Sequence, residues 1–182
     1  QQQSGANNRP IYRNNVQTRT NKTFFTMYAE SSIQECYMSK LVGETFSSGI
    51  LDSGCTKSVC GEGWYNEFLT NMNESDRKLV KETSSDVPYK FGGGEVINSN
   101  RKVTIPIYVG SQKGELETEV VKSDLPLLIS KETMKKSGML LNFTKDTATF
   151  NGEKVSLGTT SSGHYFLTLS KPRSQLNLIE RD

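Results

Sequence analysis

The chain has 182 residues, 34% of them hydrophobic, and its 22 basic and 20 acidic side chains give a net charge of +2. That length suits one domain with a modest core and a tail to spare. No apolar run approaches membrane-spanning length, and the first residues lack the charged-then-apolar pattern of a secretory leader, so the expectation is a soluble, cytoplasmic protein without membrane contact. Three cysteines, Cys36, Cys55 and Cys60, are an odd count without framework spacing, as expected of reduced thiols. With the single histidine, His164, they lack the paired spacing of a zinc site, so neither metal nor cofactor is expected.

Residues 1–21 are rich in Gln, Asn, Ser and Thr and have almost nothing to bury, which predicts disorder. Residues 1–22 contain Arg9, Arg13, Arg19 and Lys22 and no acid; this +4 against a total of +2 leaves −2 for the rest. A flexible basic arm can make weak contacts with nucleic-acid phosphates. Four dispersed charges without interleaved stacking aromatics also describe a solvated linker. The expected division is a basic linker at 1–22, a folded domain at 23–170 and a connector at 171–182.

Residues 24–29 and 41–46 read as strands, and a further strand ending at Ile50-Leu51 delivers Asp52 into a loop. Trp64, Phe68, Leu69 and Met72 recur at helical spacing, which predicts a short amphipathic helix over 63–72 with its aromatics in the core. Residues 73–86 are polar and read as an insertion or a frayed helix. Over 102–109 the chain alternates, with Val103, Ile105, Ile107 and Val109 on one face, and Pro106 argues for an edge or an interrupted ladder. Over 116–121, Leu116, Thr118 and Val120 stand opposite Glu117 and Glu119. Ser130 can cap a helix that has Glu132 in its first turn, Lys135 and Lys136 in its last, and Gly138 just past its end. Asn151-Gly152 marks a hairpin and 165–169 a closing strand. Many short strands with one clear short helix in the C-terminal half predict a mostly-β, barrel-like domain.

Candidate chemistry centres on Asp52-Ser53-Gly54, directly after an apolar strand end. A carboxylate there can be held by backbone N–H groups, and Gly54 lets that backbone come close. Two such carboxylates facing each other share one proton, so one can take a proton from water while the other polarises a peptide carbonyl. Within this sequence no second Asp-[Ser/Thr]-Gly occurs: Asp76, Asp86, Asp124 and Asp146 are followed by Arg, Val, Leu and Thr. A working site then needs two copies of the chain. Competing readings are a turn tripeptide at 52–54, a thiol dyad of Cys55 or Cys60 with His164, and a serine dyad of Ser53 with His164. Gly92-Gly93-Gly94 is a candidate substrate-covering flap and equally a glycine-rich hairpin turn.

The stretch Ser47-Ser48-Gly49-Ile50-Leu51-Asp52-Ser53-Gly54-Cys55-Thr56-Lys57-Ser58-Val59-Cys60-Gly61, followed in order by Lys90-Phe91-Gly92-Gly93-Gly94-Glu95 and Asp124-Leu125-Pro126-Leu127-Leu128-Ile129-Ser130-Lys131-Glu132, resembles the protease segment of LTR-retrotransposon Gag-Pol polyproteins. The resemblance implies a retropepsin-like closed β-barrel and an aspartic endopeptidase that processes its own polyprotein as a homodimer, in the cytoplasm or inside virus-like particles. It implies catalytic roles for Asp52, Ser53 and Gly54, with the Ser53 hydroxyl bracing the partner loop. Phe91, Gly92, Gly93 and Gly94 would form the flap, and Leu127, Leu128 and Ile129 the core beneath the catalytic loop. The basic arm would join a nucleocapsid region to the protease. Two positions depart from the pattern, Cys55 where a small Ala is usual and Ser130 where Gly is usual, and they keep open a catalytically inactive dimerisation or peptide-binding module.

Overall fold

The computed structural model of the chain describes residues 21–23, 47–91 and 95–171. The strands expected at 24–29 and 41–46, the flap tip Gly92-Gly93-Gly94, residues 1–20 of the linker and the connector beyond 171 lie outside the described residues. In chain order the elements are β1 (Asn21–Thr23), β2 (Ser48–Asp52), β3 (Val59–Gly61), α1 (Glu62–Thr70), α2 (Glu74–Arg77), β4 (Lys81–Ser84), β5 (Pro88–Phe91), β6 (Val96–Val109) and β7 (Gln112–Val121). They continue as β8 (Leu127–Ser130), α3 (Lys131–Lys136), β9 (Leu140–Asn142), β10 (Thr147–Phe150), β11 (Glu153–Ser156), β12 (Gly158–Thr159) and β13 (Tyr165–Thr168). The chain is mostly β, as the sequence predicts. Asn21 and Lys22, placed in the linker by composition, instead pair with Tyr89 and Lys90 in a short parallel ladder.

The main sheet runs β1-β5-β6-β7-β3-β8-β2-β13-β12, with β4 paired to β6 off this path. Its long spine is the antiparallel β6–β7 hairpin, in which Ile105 faces Leu116 and Val103 faces Thr118. The arc from β6 to β13 turns back on itself: the Tyr108 N–H donates to the Leu169 carbonyl at 2.9 Å, and the Leu169 N–H donates to the Ser47 carbonyl. Pro106 sits where this geometry tolerates it. β4 covers β6 only from Arg101 to Thr104, so the N–H that proline lacks falls on an uncovered stretch of edge.

Alternation along the strands sorts the apolar side chains into two clusters. The larger holds Val103, Ile105, Leu116, Val120, Leu127 and Ile129 against Trp64 and Phe68 of α1. The Trp64 ring stacks on Phe68 at 4.8 Å, and its indole N–H donates to the Ser48 carbonyl at 3.1 Å, so this tryptophan is a core residue that also pins the start of β2. Each fully buried side chain of this kind contributes roughly 1.5–3 kcal/mol. The smaller cluster, Ile50, Cys55, Val59, Tyr89, Val121 and Leu128, lies on the other face.

Residues 73–86 are ordered. The Asn73 side chain accepts from the Asp76 N–H at 2.8 Å and caps α2, and β4 follows as an exposed strand on β6. At the far end, Asn151 and Gly152 have φ of 47° and 81°, the left-handed pair that a two-residue hairpin turn requires.

Candidate active site

β2 lies between β8, which runs parallel to it, and β13, which runs antiparallel. Asp52, its last residue, is therefore delivered from inside the sheet, with its Cα level with that of Ser130. Ile50 and Asp52 share one face of β2, and Leu51 takes the other to pack on the larger cluster. The chain then turns tightly. The Gly54 N–H donates to Asp52 Oδ1 at 2.8 Å, and the Cys55 N–H donates to the Asp52 carbonyl at 3.2 Å. Asp52 Oδ2 is buried and has no hydrogen-bond partner, an arrangement that costs about 1–3 kcal/mol unless a partner arrives from elsewhere. Ser53 is exposed at the tip of the turn.

The loop is held from beneath by three hydroxyls. The Ser130 N–H donates to Ser58 Oγ at 3.1 Å, Ser58 Oγ and Thr133 Oγ1 are 2.8 Å apart, and Ser130 Oγ reaches Thr133 Oγ1 at 3.1 Å. Ser130 Oγ also accepts from the Thr133 N–H at 3.2 Å, capping α3. The Lys131 N–H donates to the Cys55 carbonyl at 3.4 Å. Ser130 thus ties the Asp52 loop to the start of a helix. Leu127, Leu128 and Ile129 lie beside Gly49, Ile50 and Leu51 in register and are buried.

Cys55 occupies the second cluster. Burial first, and then the charge of Asp52, push its thiol up to about 12, and the thiol donates to the Lys57 carbonyl at 2.7 Å. Burial also pushes Cys60 up to about 12. Both sulfurs are protonated at neutral pH, which leaves a thiol dyad without its nucleophile. His164 sits in the turn before β13, where its N–H donates to Thr160 Oγ1 at 3.0 Å. Among the described residues no group of three or more His, Cys, Asp or Glu could hold a metal ion.

Phe91 ends β5 and stacks on Tyr89 with 6.0 Å between ring centroids, and both rings belong to the second cluster, which also holds Ile50 and Cys55. Two polar residues that sequence reasoning missed stand here. Tyr89 is fully buried with its hydroxyl unpartnered, and Glu119, expected on the solvent face of its strand, is 4% exposed with Oε2 unpartnered. Alternation along 116–121 marks Glu119 as outward-facing, because it reports which side of the strand a residue takes and not what covers that side. A groove of about 540 Å³, lined in part by Ser47, Thr168 and Lys171, lies at the opposite end of β2 from Asp52.

No family model matches the sequence, and no curated protein matches it. Among solved structures the chain is similar to the retroviral protease-like domain of Ddi1 from Leishmania major, with 13% identity over 60% of this chain and 88% of that one and a TM-score of 0.38. Among the described residues no helix is long and apolar enough to cross a membrane.

Proposed function

We propose that the chain is one half of an aspartic endopeptidase, completed when Asp52 of two copies meet across a two-fold axis. The observation that carries this is the state of the Asp52 carboxylate: Oδ1 is held by the Gly54 N–H, while Oδ2 is buried without a partner. An oxygen held in this way is one to which a second carboxyl, sharing a single proton, can hydrogen-bond. In the pair, the ionised carboxylate takes a proton from water as the water attacks the scissile carbonyl. The protonated partner hydrogen-bonds the carbonyl oxygen, and the proton then passes to the leaving nitrogen. The hydroxyl floor of Ser58, Ser130 and Thr133 keeps the loop in place through this cycle. The substrate is a polypeptide. On the resemblance of the sequence motifs, it is the retroelement polyprotein in which the domain is embedded, and cleavage takes place in the cytoplasm.

The test is incubation of the purified chain with a precursor containing it, wild type against Asp52→Asn. Wild type is expected to cleave, and Asp52→Asn to lose cleavage by more than about a thousandfold while keeping the wild-type circular-dichroism spectrum, since an amide preserves shape but cannot share the proton. A hydroxyl isostere of the tetrahedral intermediate should block cleavage and a thiol alkylator should not. Cleavage by Asp52→Asn at the wild-type rate would end the reading. A wild type that dimerises and binds peptide without cutting it would return the fold to a binding module.

A further inference from the structure

Four buried side-chain polar atoms among the described residues have no hydrogen-bond partner: Asp52 Oδ2, Tyr89 Oη, Glu119 Oε2 and Arg101 Nε. Three of them share one face of the sheet. Asp52 lies on the Ile50 side of β2, Tyr89 belongs to the second cluster, and Glu119 alternates with Val120 so as to share the side of Val121, also in that cluster. Arg101 stands apart, pairing with Val120 across the strands and lying over the Tyr65 ring.

Glu119 and Tyr89 are electrostatically linked: burial first, and then the charge of Glu119, push the Tyr89 phenol upward. Folded proteins leave few buried polar groups unpaired. Two such groups on the same face of the sheet as an unpaired candidate catalytic carboxylate are explained by a ligand that brings their partner with it. The cluster around them is apolar and buried, with Ile50, Val59 and Leu128 lined up in register between Glu119 and β2. An apolar wall that ends in a carboxylate and a phenol oxygen matches a side chain with a long methylene stem and a head that only donates, which describes lysine and arginine. An acidic side chain would meet like charge, and an aliphatic one would leave both oxygens unpaired.

We propose that Glu119 and Tyr89 form the polar end of a specificity pocket on the Asp52 face of the sheet that selects a lysine or arginine side chain of the peptide substrate. The proposal rests on the endopeptidase reading above, so binding is measured apart from cleavage. In the Asp52→Asn chain, fluorescence anisotropy is read with labelled peptide mixtures randomised at every position but one, which is held as Lys, Arg, Gln, norleucine or Glu. At one position the Lys and Arg mixtures are expected to bind at least about tenfold more tightly than norleucine. Adding Glu119→Gln should remove most of that preference, and Tyr89→Phe part of it.

No preference for Lys or Arg at any position, no binding at all, a preference for Gln, or a basic preference untouched by Glu119→Gln would each overturn the pocket. Absence of that preference with Glu119 intact overturns the pocket by itself, so a poorly folding variant does not rescue the idea. Wild-type cleavage keeps the two readings separate. Cleavage without basic preference sinks the pocket alone, and basic preference without cleavage sinks the enzyme alone.

Discussion

Asp76 is charged although only 3% exposed. Lys113 Nζ donates to it at 2.7 Å, Asn73 Nδ2 at 2.6 Å and Tyr108 Oη at 2.9 Å. Burial alone would raise its carboxyl, but the hydrogen bonds from Lys113, Asn73 and Tyr108 prevail and hold it below the ordinary 3.8. A carboxylate depressed in the folded state stabilises the fold above its unfolded value, and that stability is lost as the pH falls through the folded value. Asp76→Asn is therefore expected to melt below wild type at pH 6, with the gap closing as the pH falls below the ordinary carboxylate range. Thermal melts by circular dichroism across that range check it, and a gap independent of pH would mean that Asp76 contributes packing and not charge. Sequence reading could not place this residue. Its capping partner Asn73 is local, but Tyr108 and Lys113 belong to β6 and β7, and only the folded sheet brings them to it. Glu119 escaped notice for the same reason, whereas Asp52 was legible because strand, turn residue and carboxylate are consecutive.

The elements that could be read from sequence are those fixed by neighbours in the chain. Ser130 and Gly138 bracket α3 as capping chemistry predicts, and Asn151-Gly152 forms its turn. β9 and β12 gave no such signal, being short strands that exist through their partners β10 and β13. Two glycines separate these kinds of cause. Gly152 has φ of 81° and open space around the position of a Cβ, so Gly152→Ala carries only the conformational penalty of about 1 kcal/mol. Gly61 has an ordinary φ of −78°, yet a Cβ there would stand 2.0 Å from the backbone carbonyl of Ser123 and 2.6 Å from the Leu125 nitrogen. Backbone cannot rotate aside as a side chain does, so Gly61→Ala should cost about 3 kcal/mol or more by parting β3 from the 123–125 connection. Urea denaturation of both variants tests the order. A milder effect at Gly61 than at Gly152 would show that this connection yields easily.

At the scale of the whole molecule, one chain holds one Asp-Ser-Gly loop, and a half-site has a distinctive response to dilution and to mixing. If both carboxylates must come from different copies, specific activity falls as the concentration drops through the dimer dissociation range, because the monomer contributes nothing. Mixing isolates the cause. When subunits exchange, adding an equal amount of the Asp52→Asn chain to a fixed amount of wild type diverts half of the wild-type subunits into mixed pairs. Such a pair has one carboxyl and one amide at its centre and cannot supply both the base and the acid, so activity should drop to about half. A ninefold excess of the variant should leave about a tenth. An enzyme complete within one chain would be indifferent to the added variant, as would a tight dimer whose subunits do not exchange. Unfolding and refolding the two chains together removes that second possibility. Undiminished activity after co-refolding would place the whole site within a single chain and end the dimeric reading.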